Sequence, residues 1–323
     1  MDRPDIEDVE AAAARIAPHL HRTPVLTSSA IDAELRCSVY FKCENLQKVG
    51  AFKARGAVNA VLQLSEDEAA RGVVTHSSGN HGAALAYAAG LFGMRCTVVM
   101  PESAPRIKVD AVRGYGAEIV PCKQHERRST CERIQEERGA TLIHPYENPD
   151  VVAGQGTAAL ELLDQVPELD LVVAPVGGGG LLSGTTVVVS SLRAGAQVWG
   201  AEPREVDDAF RSLRDGVRHP GVSAPCSWAD GLLTGLGVRA FGILERHGVE
   251  IVTVSEGELL RATWTLMRRL KLVVEPSAGT VLAALRDRVD ALRGRRVGAI
   301  LSGGNTDFRW LSDERLDPTS SSG

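Results

Sequence analysis

The chain has 323 residues, of which 44% are hydrophobic and 24% are charged, and its formal net charge is -5 at pH 7. This length and composition are ordinary for a folded protein with one or two packed domains, and they exclude a disordered or fibrous chain. Acidic and basic residues are interspersed, so no basic face indicates nucleic acid and no polybasic segment indicates a membrane surface. We therefore expect small molecules and further copies of the chain as partners.

The cysteines and the first residues both bear on the cellular compartment. The 6 cysteines form no CxxC pair, and no histidine cluster completes a zinc pattern. The opening MDRPDIEDVEAAAARI carries early acids rather than the apolar core of a secretory signal, and nowhere do eighteen apolar residues run together. We expect reduced thiols and a cytoplasmic protein.

Hydrophobic periodicity predicts the secondary structure in chain order. Ile6, Val9, Ala13 and Ile16 recur at steps of three and four residues, which predicts an amphipathic opening helix. From about residue 72, short β-branched runs alternate with helical periods. The predicted strands are 73–75, 97–100, 118–121, 171–176, 197–201 and 297–301. The predicted helices begin at 80, near 107, after 121 and at 181, with one more passing through 160–163.

This alternation is typical of an α/β fold in which helices cover the faces of parallel sheets. Two such sheets are the economical arrangement for a chain of this length. We expect a smaller lobe at 72–145, inserted in a larger lobe that consists of 1–71 and 146–323.

A run of four glycines follows the apolar stretch LVVAPV and precedes a helical one. The run is Gly177, Gly178, Gly179 and Gly180. Glycine lets the backbone approach a ligand and aim successive N–H groups at it, while a helix start favours an anion, so the run predicts a phosphate cradle. A dinucleotide fingerprint with Glu202 as the ribose acid fails, because GxGxxG would need glycine at Leu182 or Ser183. A purely structural tight turn stays open.

The hexapeptide AFKARG, residues 51–56, places Lys53 beside an aromatic residue. Most lysines are solvated and do nothing specific, so the position matters only through its neighbours. Phe52 supplies an apolar wall, and Arg55 and Lys48 are expected to add positive charge. Burial and like charge both lower the pKa of an amine, which makes it able to form a Schiff base near neutral pH.

Two further polar segments follow predicted strands. The segment SSGNHG, residues 77–82, begins a helix, so its N–H groups could bind a carboxylate while Asn80 reaches a ring substituent. The alternative is that Ser78 or Asn80 simply caps that helix. The segment SGGN, residues 302–305, places the hydroxyl of Ser302 at the carboxyl end of a strand, where ligands of open α/β sheets collect.

An acidic loop raises the question of a metal ion. The carboxylates of Glu202 and Asp208, with the carbonyl of Val206 between them, would give three oxygen ligands for octahedral Mg²⁺ or a looser Ca²⁺ shell. On spacing alone, a solvated acidic loop is the alternative.

Together these motifs resemble one known family. AFKARG, SSGNHG, GGGG, AEPxxxDD, EPSAG and SGGN, in this order and at these separations, are similar to the serine/threonine dehydratase and serine racemase family of fold-type II pyridoxal-phosphate (PLP) enzymes. The resemblance runs from about residue 15 to 310. It implies a two-lobed α/β enzyme with a small-molecule amino-acid substrate, and the family expectation is a homodimer.

The resemblance also implies a role for each motif residue. Lys53 would hold the cofactor aldehyde as a Schiff base, Phe52 and the backbone near Gly231 would flank the ring, and Asn80 would bind the ring 3-hydroxyl. The glycine run with Leu181 would hold the phosphate, and Ser302 would meet the pyridine nitrogen. The substrate carboxylate would be bound by Ser77, Ser78, Gly79, Asn80 and His81.

The implied reaction is a β-elimination. Lys53 would remove the α-proton, and loss of the β-hydroxyl would convert threonine, serine or a related 3-hydroxy amino acid to a 2-oxo acid and ammonia. Ser78 resembles the base on the opposite ring face of the racemase branch, so racemisation is allowed without being required. The segment GAEPREVDDA resembles the divalent-cation site of racemase-like members, which implies Mg²⁺, or Ca²⁺ or Mn²⁺, at Glu202, Val206 and Asp208.

Two positions depart from the family pattern. Ala51 stands where many members have serine, and this difference puts little in doubt. Tyr146 follows His144-Pro145 where animal racemases have the sequence HPN, and this difference favours dehydration. A serine racemase and a 3-hydroxyaspartate dehydratase stay open. From other classes, a nicotinamide-dependent dehydrogenase would need a dinucleotide fold, and a non-catalytic binding protein would have no use for Lys53 and Ser302.

Overall fold

Two separate sheets form the framework of the computed structural model, which describes residues 3–77 and 79–316. In the first sheet the strands lie in the order β1-β2-β10-β7-β8-β9, and in the second in the order β5-β4-β3-β6. All neighbouring strands are parallel except β1 and β2. The strands, numbered in chain order, are Val25–Leu26, Ser38–Cys43, Val73–His76, Cys96–Pro101, Glu118–Cys122, Thr141–Leu142, Leu171–Pro175, Gln197–Pro203, Glu250–Val254 and Arg296–Leu301.

Helices cover both sheets and carry most of the chain between the strands. Within the described residues, no helix is both long enough and apolar enough to cross a membrane. The helices α1 to α13 are Ile6–Ile16, Ser29–Leu35, Lys53–Leu62, Glu66–Arg71, Asn80–Leu91, Arg106–Gly114, Arg127–Arg138, Pro149–Gln165, Gly180–Leu192, Asp208–Asp215, Val238–Arg246, Glu256–Leu270 and Pro276–Asp287.

The α/β prediction is confirmed, and the strands and helices predicted from periodicity are present with ends that differ by a few residues. The strands of the second sheet all lie between 73 and 142, and the larger sheet takes strands from both sides of that range. The lobe boundaries at 71/72 and 145/146 stay predictions.

The first sheet is buried on both faces, as parallel sheets covered by helices are. Alternate residues of β7 point to opposite sides, so Val173 joins an apolar cluster with α12 and α13, while Val172 joins one with α8 and α9. This arrangement explains why the sequence of β7 reads as a continuous apolar run rather than as an alternation.

The carboxyl ends of three neighbouring strands meet at one edge of this sheet. β10 pairs with β7, and β7 pairs with β8. Ser302 directly follows β10, Gly177 comes soon after β7, and Glu202 lies near the end of β8. The fold therefore gathers three of the predicted motifs on one side of one sheet.

A buried group of charges fixes the helix that begins at Lys53. The guanidinium of Arg55 donates to both carboxylate oxygens of Glu44 at 2.7 and 2.8 Å and to Glu161 at 2.8 and 2.9 Å. Lys42, fully buried in β2, donates to Glu161 at 2.7 Å. These carboxylates raise the pKa of Arg55 against the opposing effect of burial. The network joins α3 to β2 and α8, so it stabilises the start of α3.

We predict that Arg55→Met lowers the free energy of unfolding by about 3–5 kcal/mol, because it leaves Glu44 as a buried charge without its cation and leaves Glu161 with Lys42 alone. Arg133, which pairs with Glu137 on the exposed side of α7, is the matched control. Its replacement by methionine should change the free energy by less than about 1 kcal/mol. Urea unfolding followed by circular dichroism measures both, and equal effects would contradict the role given to the network.

Candidate active site

The predicted site residues surround one cavity. Ser78 lies outside the described residues, and the acidic loop is not among the cavity residues. The cavity is lined by Phe52, Lys53, Ser77, Gly79, Asn80, His81, Gly177, Gly178, Gly179, Gly180, Leu181, Gly231 and Ser302. Further residues line it that the sequence had not assigned to a site: His76, Lys108, Arg127, Pro145, Tyr146, Pro175, Asp230, Leu232, Thr234, Glu275 and Ser277.

Backbone pairing between two distant segments brings Lys53 and Ser302 into the wall of one cavity. Ala51 and Gly303 form an isolated antiparallel bridge. The Phe52 N–H donates to the carbonyl of Ser302 at 3.0 Å, and the Gly304 N–H donates to the carbonyl of Gly50 at 2.9 Å. Because α3 begins at Lys53, the lysine leaves this bridge at a fixed position facing the cavity.

The amine of Lys53 is set apart from ordinary lysines by burial. Its Nζ donates to the carbonyl of Pro145 at 3.1 Å and lies 5.1 Å from the centroid of the Phe52 ring. Burial lowers the pKa of Lys53 to about 8, and the charge of Glu275 opposes the shift. The positive charge expected from Arg55 is not the cause, because that guanidinium is paired with two carboxylates. A substantial fraction of the amine is neutral near pH 8.

The glycine run leaves a helix start open toward the cavity. Helix α9 begins at Gly180, and no side chain in the described part of the chain caps it. Gly179 has φ +88°, a conformation that favours glycine. The Cβ atom that any other residue would add at this position would overlap Ala240. A Cβ at Gly178 would overlap the ring of Tyr146. The run is thus required by its packing, and its unpaired helical N–H groups also suit an anion.

Ser302 presents an unused hydroxyl. It is 3% exposed, and its Oγ has no hydrogen-bond partner within the described residues. Buried polar atoms without a partner are uncommon in folded proteins, and those that occur often await a ligand or water. Its place in the cavity wall makes Ser302 a candidate partner for a polar ligand atom.

The segment that follows β3 leads into the start of helix α5. Gly79 occupies the cap position of α5 and no side chain of the described residues caps it, so the interpretation of Asn80 as the helix cap is wrong. The other cap candidate, Ser78, lies outside those residues. The Gly79 N–H donates to the Oγ of Ser77 at 3.1 Å. His81 is buried, and its Nε2 lies 2.9 Å from the carbonyl of Ile143. Burial lowers the pKa of His81 well below its usual value, so the ring is neutral and donates to that carbonyl.

Asn80 belongs to a network that the sequence did not reveal. Its Nδ2 donates to Glu275 at 2.9 and 3.1 Å, and its Oδ1 accepts from Asn305 at 3.0 Å. Burial raises the pKa of Glu275 to about 7, while the charge of Lys108 opposes the shift. The EPSAG motif was the only sequence signal for Glu275. These contacts fix the side chain of Asn80 at the cavity wall.

Charged residues on helices and loops line the remaining walls. Lys108 of α6 binds Asp230 in an ion pair, and a Cβ at Gly79 would lie 3.2 Å from its Nζ. Arg127, at the start of α7, donates its Nε to the carbonyl of Gln124 at 3.3 Å. Among the described ion pairs none involves Arg127, so its charge is available to the cavity. None of the motifs found in the sequence includes these residues.

The acidic loop lies beside this cavity rather than in it. Both oxygens of Glu202 accept backbone N–H groups, from Ala209 at 2.9 Å and Phe210 at 2.8 Å. Burial raises the pKa of Glu202 well above its usual value, and the charge of Asp208 adds to the shift. Within the described ranges, no group of three or more His, Cys, Asp or Glu side chains is arranged to hold a metal ion. The predicted set has only two such side chains, so a cation there remains a hypothesis.

We predict that Lys53 reacts with an acylating reagent at a rate that rises through pH 8 and levels off by about pH 9, because only the neutral amine is a nucleophile. Glu275→Gln should move the midpoint to lower pH, since the carboxylate stabilises the ammonium form. Glu132→Gln, an exposed acid on α7, is the control and should leave the midpoint unchanged. Peptide mass spectrometry of cofactor-free protein measures the labelling. A midpoint near the usual lysine value would refute this electrostatic account.

Comparisons with known proteins agree with this geometry. The family model described as "Pyridoxal-phosphate dependent enzyme" matches residues 16–303. A serine racemase of Dictyostelium discoideum is 45% identical over 95% of this chain and 96% of its own. A beta-hydroxyaspartate dehydratase of Paracoccus denitrificans is 46% identical, covering 94% of this chain and 97% of its own. The solved structure of a threonine deaminase from T.th. superposes with a TM-score of 0.90 at 44% identity, over 94% of this chain and 99% of that one. The chain belongs to the family of pyridoxal-phosphate dependent enzymes.

Proposed function

We propose that this chain is a dehydratase of the ammonia-lyase type, which converts L-threonine, L-serine or a related 3-hydroxy amino acid to a 2-oxo acid and ammonia. The observation that carries the proposal is an amine of lowered pKa, on Lys53, in the same cavity as an uncapped run of glycines. The names of the relatives support an amino-acid substrate, since one is a serine racemase and another a beta-hydroxyaspartate dehydratase.

Three features of the cavity fit PLP, the cofactor of the family. Lys53 is an amine that can condense with an aldehyde near pH 8, the glycine run offers free N–H groups to a phosphate, and the unpartnered Oγ of Ser302 suits a ring nitrogen. When bound, PLP supplies an electron sink for the electron pair released at the substrate α-carbon, and the neutral Ser302 hydroxyl keeps that sink mild. We assign the cofactor to Phe52, Lys53, Asn80, Gly177, Gly178, Gly179, Gly180, Leu181, Gly231 and Ser302.

Different residues of the chain bind the substrate and transfer the proton. The N–H groups of the segment 77–81 bind the substrate carboxylate, which fixes the α-carbon relative to Lys53. The neutral amine of Lys53 takes the α-proton as that C–H bond breaks. The β-carbon to oxygen bond then breaks, and the hydroxyl takes up one proton, equivalent to the one that Lys53 removed, and leaves as water. Hydrolysis of the released enamine consumes one water. The balance is one 3-hydroxy amino acid in, and one 2-oxo acid and one ammonia out.

Racemisation of serine is the close alternative, and the serine racemase at 45% identity favours it. In this proposal Ser78 exchanges the α-proton on the face opposite Lys53. Tyr146 supports dehydration as the main activity, because it places an aromatic ring against the glycine run where racemases of animals carry asparagine. Assay of keto acid and of substrate chirality in one reaction separates the two activities.

A dicarboxylic substrate, 3-hydroxyaspartate, is favoured by one feature of the cavity. Arg127 lines it and belongs to none of the described ion pairs. A guanidinium binds a carboxylate with two parallel hydrogen bonds, which suits the second carboxylate of such a substrate. The dehydratase at 46% identity is named for this substrate class.

Three further assignments complete the proposal. A divalent cation, Mg²⁺ or else Ca²⁺ or Mn²⁺, fits between Glu202, the carbonyl of Val206 and Asp208, because burial raises the pKa of both carboxyls and a cation would stabilise their charged forms.

The enzyme acts as a homodimer. It works in the cytoplasm, which the six free cysteines support, five of them buried.

We predict that Lys53→Ala lowers turnover of L-serine and L-threonine by about 10³-fold or more, because it removes the amine that takes the α-proton. Lys48→Ala, which removes a nearby lysine outside the cavity lining, should keep wild-type turnover. Keto acid release measured with a coupled dehydrogenase provides the rate. Wild-type activity in the Lys53 variant would end the proposal.

We predict that Arg127→Ala lowers kcat/KM for 3-hydroxyaspartate by about tenfold to a hundredfold, the range of a lost charge-assisted hydrogen bond. The value for serine should change by less than about threefold. Arg128→Ala, which removes an exposed arginine paired with Glu132, is the control. An equal loss for both substrates would show that Arg127 has no part in selecting the second carboxylate.

A further inference from the structure

One short segment, residues 235–240, lies between the acidic loop and the glycine run and contacts both. The Leu236 N–H donates to Oδ2 of Asp208 at 2.7 Å, and both groups are buried. The next N–H of the segment, that of Gly237, donates to the carbonyl of Gly178 at 3.2 Å. Two consecutive backbone groups thus join Asp208 to the glycine run.

Side-chain packing makes this connection tight. A Cβ at Gly179 would overlap Ala240 and would lie 2.9 Å from Cδ1 of Leu236. Tyr146 is wedged between the two segments, because its ring lies against Gly178 and a Cβ at Gly237 would be 3.0 Å from it. The glycine run therefore has no room to move unless the segment 235–240 moves with it.

Asp208 is itself held in a closed place. It is 3% exposed at the start of α10, and its backbone carbonyl accepts from the Oγ of Ser212 at 2.5 Å. The backbones of Gly221 and Gly235 pack against each other beside it. A Cβ atom added to Gly235 would lie 2.8 Å from Cα of Gly221 and 3.5 Å from Oδ2 of Asp208. Removing the carboxylate would leave the Leu236 N–H buried without a partner, which is a costly state.

We infer that Asp208 is a positioning residue for the cofactor phosphate. Its carboxylate fixes Leu236, the adjacent Gly237 fixes Gly178, and the glycine run then presents its N–H groups at the correct place. The inference rests on the phosphate position given under the proposed function. It is separate from metal binding, because the hydrogen bond to Leu236 needs only an oxygen acceptor.

Three variants in the presence of a chelator isolate this role. Asp208→Ala removes the acceptor, whereas Asp208→Asn keeps a carbonyl oxygen there and loses only the charge. Asp207→Ala is the matched control, because Asp207 is the neighbouring acid and binds Arg211 at 2.8 Å instead. The whole enzyme is first stripped of its cofactor. It is then titrated with PLP or with pyridoxal, which has the same aldehyde and ring but no phosphate. Absorbance gives both dissociation constants.

We expect Asp208→Ala to weaken PLP about tenfold while pyridoxal changes by less than about twofold, since the loss is confined to the phosphate. Asp208→Asn and Asp207→Ala should stay within about threefold of wild type for both aldehydes. Unchanged PLP affinity in Asp208→Ala, or an equal loss for pyridoxal, would overturn the inference. Wild-type protein that binds the two aldehydes equally would instead overturn the phosphate position itself.

Discussion

The backbone bridge between residues 50–52 and 302–304 is the constraint on which the site depends. It joins the start of α3 to the end of β10, so Lys53 and Ser302 face one cavity although 249 positions separate them in the chain. Without it the amine would belong to an ordinary helix start. With it, the fold holds a nucleophile and a polar partner in the wall of one cavity.

Burial then gives this geometry its chemistry. Desolvation disfavours the ammonium form of Lys53, while the nearby carboxyl of Glu275 limits how far the shift goes. Arg55, two residues along the helix, forms ion pairs with Glu44 and Glu161. It therefore affects Lys53 by fixing the position of the helix rather than by lowering the pKa of the amine. Different residues therefore set the pKa of Lys53 and fix the position of α3, the helix that carries it.

Much of this site could be predicted from sequence, because the glycine run, AFKARG, SSGNHG and SGGN are each local and each follow or precede a strand or helix of clear periodicity. The remainder depends on contacts between distant positions. Strand β2 was not predicted, and the burial of its Lys42 depends on the distant Glu161 of α8 beside it. Lys108 and Arg127 reach the cavity from separate helices, and none of the motifs includes them; Glu275 belongs to EPSAG, but the motif did not predict its contact with Asn80.

The most direct test of the central claim is to treat the native enzyme with borohydride and map the peptide that gains a pyridoxyl group. The account predicts a single covalent adduct on Lys53, with loss of the visible absorbance of the enzyme. An adduct on another lysine, or none while the protein holds its full complement of PLP, would contradict it.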